Sequence, residues 1–280
     1  MNKADREGAI RRIVVALDAS PHSLAALRTA AELAARLDAE LLGIYVQDIN
    51  LLRVAELPFS REITIYSAAP RELDRRQMEQ QLRSQARQAK RALAEVARKN
   101  NLTWSFVIAR GLIETELLTF AQESDLFLLG KSGWSRRSHL GSTARVIVRR
   151  APKMTMIVQH GIHLGPPVGV IYDGTPLARK ALVAATNMLH RQEGFLAIII
   201  LAESADLARK YQREISGWVG QQNLHVHYRW LVGMKVSRLL ELIRSEQCGA
   251  LVIPAELEEW DGEELNELVD QMECPVLLVR

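Results

Sequence analysis

Two cysteines in 280 residues, Cys248 and Cys274, are too few for a disulfide framework and fit a reducing compartment. Long apolar runs are also missing. The stretch LAIIILA at 196–202 is of strand length, well short of the roughly 20 residues a membrane-spanning helix needs, so no membrane partner is expected. The opening residues MNKADREGAIRRIVV hold no apolar stretch between their charges and the first β-branched run, which predicts no secretory signal and a cytoplasmic location. Aromatic residues make up 5% of the chain. The stretch 70–99 has helical spacing and carries nine Lys or Arg against four Asp or Glu, but no aromatics are interleaved with them. It reads as a solvated helix face, and no nucleic-acid partner is expected. No base, nucleophile or metal-ligand cluster stands in a catalytic arrangement. His225 and His227 alternate along one side of a strand, a pattern more often solvated than zinc-binding, and no metal site is assigned.

The net charge of +3 conceals an asymmetry. Residues 1–160 carry 25 basic and 17 acidic side chains, whereas 161–280 carry 11 and 16. A basic half favours anionic ligands and an acidic half disfavours them. In the first half, β-branched runs at 12–17, 40–46, 103–109, 125–129 and 154–158 alternate with stretches of helical period, the pattern of a parallel sheet with crossover helices. Leu24, Leu27, Ala31 and Ala34 share a face of the first helix. Leu82, Ala86, Ala89, Leu93 and Val96 do so in a longer one expected over 70–99.

The second half repeats this plan. VVALDASPHSLAAL at 14–27 aligns with VGVIYDGTPLARKAL at 168–182, matching Asp18 to Asp173, Ser20 to Thr175 and Pro21 to Pro176. Each reads as a strand, an aspartate, a hydroxyl helix cap and a proline at the first helical position. Gly111 and Gly233 each precede an amphipathic stretch, and Pro152 and Pro275 each precede a last apolar run. The copies differ where 48–69 interrupts the first, and 159–167 reads as the linker. The chain is therefore expected to form an α/β fold of two tandem doubly wound domains, 1–160 and 161–280. In such sheets ligands bind outside the carboxyl ends of the strands, where strand order reverses, which places Asp18 and the loop after Leu129 at one mouth.

That loop runs Gly130, Lys131, Ser132, Gly133, then through Trp134, Arg136, Arg137 and His139 to Gly141, Ser142 and Thr143. Glycines let a backbone approach a phosphate, free N–H groups and hydroxyls at the next helix start donate to its oxygens, and Lys131, Arg136 and Arg137 add positive charge. Trp134 is expected to fold over a ligand or dock on a partner. The Gly-Lys-Ser at 130–132 is not a P-loop, because Asp125 stands where that motif needs glycine.

The chain resembles tandem universal stress proteins. Nucleotide-binding members of that family carry, after the fourth strand, Gly-x2-Gly-x9-Gly followed by Ser or Thr, then an Ala-Pro or Cys-Pro. This chain has Gly130-x2-Gly133-x7-Gly141-Ser142, two residues shorter, then Ala151-Pro152. The resemblance implies five-stranded parallel sheets of order 3-2-1-4-5. It also implies an adenine nucleotide, ATP, with Mg²⁺ or Mn²⁺, held by Asp18, Val46, Gly130, Gly133, Gly141, Ser142 and Thr143. The HxGH and SGGxDS strings of related enzymes are absent, and without a clear water-activating base any ATP hydrolysis is expected to be slow. In the second copy, LVIP at 251–254 leads into AELEEWDGEELNELVDQM, with no glycine loop. Asp261 and Glu264 read as cap and capping-box partner, with Leu265, Leu268, Val269 and Met272 buried. Seven carboxylates between Glu256 and Glu267 would repel a polyphosphate. The expected function is a nucleotide-responsive stress sensor or regulator. A ligand-free assembly scaffold and a binder of another anion are the alternatives. In the resembling proteins last strands pair edge to edge, so 154–158 and 276–279 are expected to join the halves as an internal pseudo-dimer, with homo-oligomers open.

Overall fold

The computed structural model describes residues 10–57, 61–64, 67–72, 74–134, 139–189, 194–220, 224–233, 236–257 and 262–280. The first half runs β1 (Arg12–Ala16), α1 (Pro21–Leu37), β2 (Glu40–Asp48), α2 (Ile49–Val54), β3 (Arg61–Thr64), β4 (Ser67–Glu72), α3 (Arg75–Lys99), β5 (Trp104–Gly111), α4 (Ile113–Gln122), β6 (Leu126–Gly130), α5 (Ser142–Arg150) and β7 (Met154–Val158). The second runs β8 (Val168–Tyr172), α6 (Pro176–Met188), β9 (Phe195–Ala202), α7 (Ala205–Val219), β10 (His225–Val232), α8 (Val236–Ser245), β11 (Ala250–Pro254), α9 (Gly262–Gln271) and β12 (Val276–Val279). Every strand except those of the β3–β4 hairpin lies in one ten-stranded sheet of order β10-β9-β8-β11-β12-β7-β6-β1-β2-β5. Each half contributes five parallel strands in the expected order, and the fold is the α/β doubly wound one.

Why the halves fuse is legible in their last strands. MTMIV and VLLV are buried on both faces, so neither edge tolerates water. They pair antiparallel, Val276 opposite Ile157, Leu277 opposite Met156 and Leu278 opposite Thr155. The cores run through this seam on both faces. Met156, Val158, Leu277 and Val279 join one apolar layer, which Ala26 and Ala30 of α1 and Ala181 and Ala185 of α6 also enter. Ile157, Val276 and Leu278 join the other, with Ile147 of α5 and Leu268 of α9.

Local sequence sets the helix ends. Ser20 accepts from Ser23 N–H and Thr175 from Ala178 N–H, each with proline at the helix start, the hydroxyl relieving one of the amides a helix leaves unpaired. The long helix begins later than its periodicity suggests. Residues 70–72 belong to β4, and α3 starts at Arg75, where the Asp74 carboxylate caps the Arg76 N–H. Periodicity reports only the buried face, and Pro70 cannot extend a helix backwards past its own first turn. Leu265, Leu268, Val269 and Met272 are buried as expected. Asp261 lies outside the described residues, as do Arg136 and Arg137.

Two measurements follow from this packing. Leu278→Ala should cost about 2–5 kcal/mol and, because its layer spans both halves, should shift one urea transition rather than split it. Burial pushes the Cys248 thiol up to about 12 and that of Cys274 up to about 11. Native protein at pH 8 should therefore take up no iodoacetamide label, and unfolded protein should take up two.

Candidate functional site

Where β1 ends, Asp18 builds a turn. Its Oδ1 accepts from the Ser20 N–H (2.9 Å), and its own N–H donates to Ser23 Oγ (3.3 Å). The turn holds Ala19 at a φ of 60°, a left-handed conformation that costs an L-residue about 1–2 kcal/mol. The second half repeats it, Asp173 Oδ1 accepting from the Thr175 N–H (3.0 Å) and hydroxyl (2.6 Å). There the left-handed position is Gly174, and a Cβ on it would strike the Tyr211 ring.

Opposite Asp18, β6 ends at Gly130, where a Cβ would lie 2.7 Å from the His22 carbonyl carbon. Glycine thus lets the strand end pass beneath the start of α1. Between these turns and α5 lies a cavity of about 290 Å³, lined by Asp18, Val46, Gly130, Gly133, Gly141, Ser142 and Thr143 among others. All seven residues expected from the sequence reach it. Its volume is near the lower edge of small-molecule sites, roughly 300–1,000 Å³.

The cavity has two chemistries. Ala16, Ile44, Val46, Ile113, Leu117 and Leu129 form an apolar wall. The other wall is polar. Among the described residues no side chain caps α5, whose first amides have no partner within the helix. Gly141 N–H is already committed to the Lys131 carbonyl (2.9 Å). Ser132, 5% exposed, holds its hydroxyl oxygen buried without a hydrogen-bond partner among the described residues, which costs about 1–3 kcal/mol if nothing fills the site. Sequence reasoning passed over Ser132, although its place between Gly130 and Gly133 was the available signal. Asp18 Oδ2 faces Gly133, where a Cβ would sit 3.2 Å away.

Lys131 does not act as expected. It is only 4% exposed, and its ammonium donates to the backbone oxygens of Asp270 (2.6 Å) and Met272 (2.9 Å) and, more weakly, to Gln159 Oε1 (3.4 Å). The partial negative charge at the carboxyl end of α9 holds its ammonium there, although the residue still lines the cavity. Burial lowers the Lys131 pKa, while Asp270, Glu273 and Cys274 pull it back up. His139, which a loop position offers to a phosphate, instead sets its Nδ1 2.9 Å from Asp270 Oδ2. The other Asp270 oxygen accepts the Leu140 N–H. A carboxylate from the second half therefore grips the first half's loop, and nothing in the sequence pattern pointed to it. Trp134 is 61% exposed.

Fold and cavity together define a tandem doubly wound α/β protein with a half-apolar, half-polar site where strand order reverses. Residues 9–159 match the universal stress protein family, and the chain belongs to it. It is similar to the crystal structure of a universal stress protein from Archaeoglobus fulgidus DSM 4304, with a TM-score of 0.73, 16% identity, and coverage of 96% of this chain and 98% of that one. It is also similar to a functionally unknown protein from Pseudomonas aeruginosa PAO1, with a TM-score of 0.63, 14% identity, and coverage of 97% and 93%. At these identities the likeness extends to the fold alone. The chain is similar over 55% of its length to a universal stress protein in complex with cAMP, at 20% identity, 99% coverage of that chain and a TM-score of 0.38. No curated protein is similar in sequence. Among the described residues, no helix is long and apolar enough to cross a membrane.

Burial works against ionisation of Asp270, but the hydrogen bonds from His139 and Leu140 and the charge of Lys131 outweigh it and lower its pKa. A depressed folded-state value means that the carboxylate's stabilisation is complete above the unfolded value of about 4. It is lost as pH falls through the folded one. Asp270→Asn should therefore be less stable by about 0.5–1 kcal/mol at pH 7, and urea midpoints of the two proteins should converge below about pH 4.

Proposed function

We propose that this universal stress protein binds an adenine nucleotide, ATP, in the first-half cavity and acts as a cytoplasmic stress-response sensor or regulator. Residues 1–160 are the binding domain, and 161–280 are a degenerate second domain that has given up its ligand. The observation that carries this reading is the Ser132 hydroxyl, buried and unpartnered beside the uncapped start of α5. Donors so placed need an acceptor-rich guest, and a phosphate provides one.

The residues present fit such a guest. The amides of Ser142 and Thr143 with the Ser132 and Ser142 hydroxyls would hold phosphate oxygens, and the wall formed by Val46, Ile113 and Leu117 would cover the base. Asp18 Oδ2 is free to face a ribose hydroxyl or a Mg²⁺ or Mn²⁺ ion that travels with the nucleotide. Asp18 is the only carboxylate lining the cavity among the described residues, and no histidine there is placed to activate water, so hydrolysis is slow at most. In the second half the loop between β11 and α9 lacks the two-glycine pattern, and α9 opens with Glu263 and Glu264, which would repel phosphate.

One observation favours a second reading. With Lys131 committed to α9, the cavity has no free cation among the described residues. A ligand-free scaffold would need none.

Calorimetric titration with ATP, ADP and AMP, with and without Mg²⁺ or Mn²⁺, separates the two. The expected result is saturable binding of ATP that Ser132→Ala and Ser142→Ala weaken by about 5- to 10-fold each, the loss of one hydrogen bond. Gly133→Asp should weaken it more, by setting a second carboxylate against Asp18, and Asp173→Ala should leave it unchanged. Absence of any heat at millimolar nucleotide would favour the scaffold.

A further inference from the structure

The nucleotide loop is closed at both feet by one residue of the other half. At the outgoing foot, the Lys131 ammonium donates to the Asp270 backbone oxygen at 2.6 Å. At the returning foot, Leu140 N–H donates to Asp270 Oδ1, and His139 Nδ1 lies 2.9 Å from Oδ2. The feet are also tied to each other by Gly141 N–H and the Lys131 carbonyl (2.9 Å). Asp270 is 16% exposed in its side chain and sits in the last turn of α9, which packs against α5 through the Arg149–Glu263 pair at 2.5 Å. Asp270 does not itself line the cavity.

We propose that Asp270 is a positioning residue for the first-half site: it fixes the spacing of the loop's feet, and so makes anion affinity there depend on how the second half is docked. This rests on the nucleotide reading above and adds the second half's part in it. The Ser132 hydroxyl and the Ser142–Thr143 amides adjoin the two feet that Asp270 joins. Letting either foot drift separates donors that one phosphate must meet together. Linkage makes the dependence reciprocal, so a bound anion tightens the docking of α9 on α5 by the same factor. A carboxylate acting only through its charge has the opposite sign, because it repels an anion and its removal would raise affinity.

Asp270→Ala, Asp270→Asn and, as a control on the same helix, Glu267→Gln decide the matter in the full chain. Hydrogen exchange in ligand-free protein is the first readout. Asp270→Ala should speed exchange of the amides of 139–144 by at least tenfold while those of β6 and β7 stay protected. Asp270→Asn, whose amide oxygen still accepts from Leu140, should restore most of that protection, and Glu267→Gln should change nothing. ATP titration is the second readout, with about tenfold weaker binding for Asp270→Ala and recovery to within about threefold for Asp270→Asn. Unchanged exchange at 139–144 in Asp270→Ala would overturn the proposal, as would tighter ATP binding in either variant. If the unaltered protein binds no ATP, the nucleotide reading falls, and the exchange experiment still decides whether Asp270 positions the loop.

Discussion

Three register pairs between Met154–Val158 and Val276–Val279 turn two open sheets into one. Without that contact each half would end in a strand whose unpaired backbone edge met water. With it, two apolar layers run the full width of the molecule. Across the seam α5 meets α9. The contacts that shape the candidate site depend on that meeting, because Lys131, His139 and Leu140 all reach across it to Asp270.

Part of the charge asymmetry between the halves meets at the seam. Helix α5 ends in Arg149 and Arg150, while α9 opens with Glu263 and Glu264. The two helices lie together with Arg149 on Glu263. Cations are exchanged at the helix ends as well. Lys131 of the first half meets the last carbonyls of α9, and the Arg280 guanidinium of the second half donates to the Val148 carbonyl at the end of α5. Each cation sits at the negative end of the other half's helix dipole. Acidity in the second half thus answers basicity in the first, as well as being unsuited to a phosphate.

Much of this was legible in the sequence, because the fold signals are local. The Asp-x-[Ser/Thr]-Pro turns of Asp18 and Asp173 are short-range hydrogen-bond patterns and read directly. The alternation of β-branched runs with helical periods set the strand order once a resemblance supplied the topology. Residues of the cavity were legible for the same reason, since Gly130, Gly133 and Gly141 mark backbone that must come close to something. What escaped was long-range. A lysine in a glycine loop looks like a phosphate ligand until the carbonyls of a helix 139 residues away are placed beside it. Asp270 follows no motif, because its partners come from the other half of the chain. The start of α3 was missed for a different reason: the helix-spaced apolar residues begin only at Leu82 and leave the boundary at Asp74 unmarked.

A strand pair of this kind, formed between separate chains, would come apart on dilution. Here the short linker 159–167 holds the two edges on one chain, so the pairing is unimolecular, with an effective local concentration on the order of millimolar for short flexible linkers. The partnership is therefore indifferent to how much protein the cell makes. That indifference frees one copy to change. A self-pairing subunit must keep every surface compatible with itself, so an acidic substitution in one helix would appear on both sides of the contact. With both sides on one chain, α9 can carry carboxylates where α5 carries arginines, and the two sides of one interface hold opposite charge.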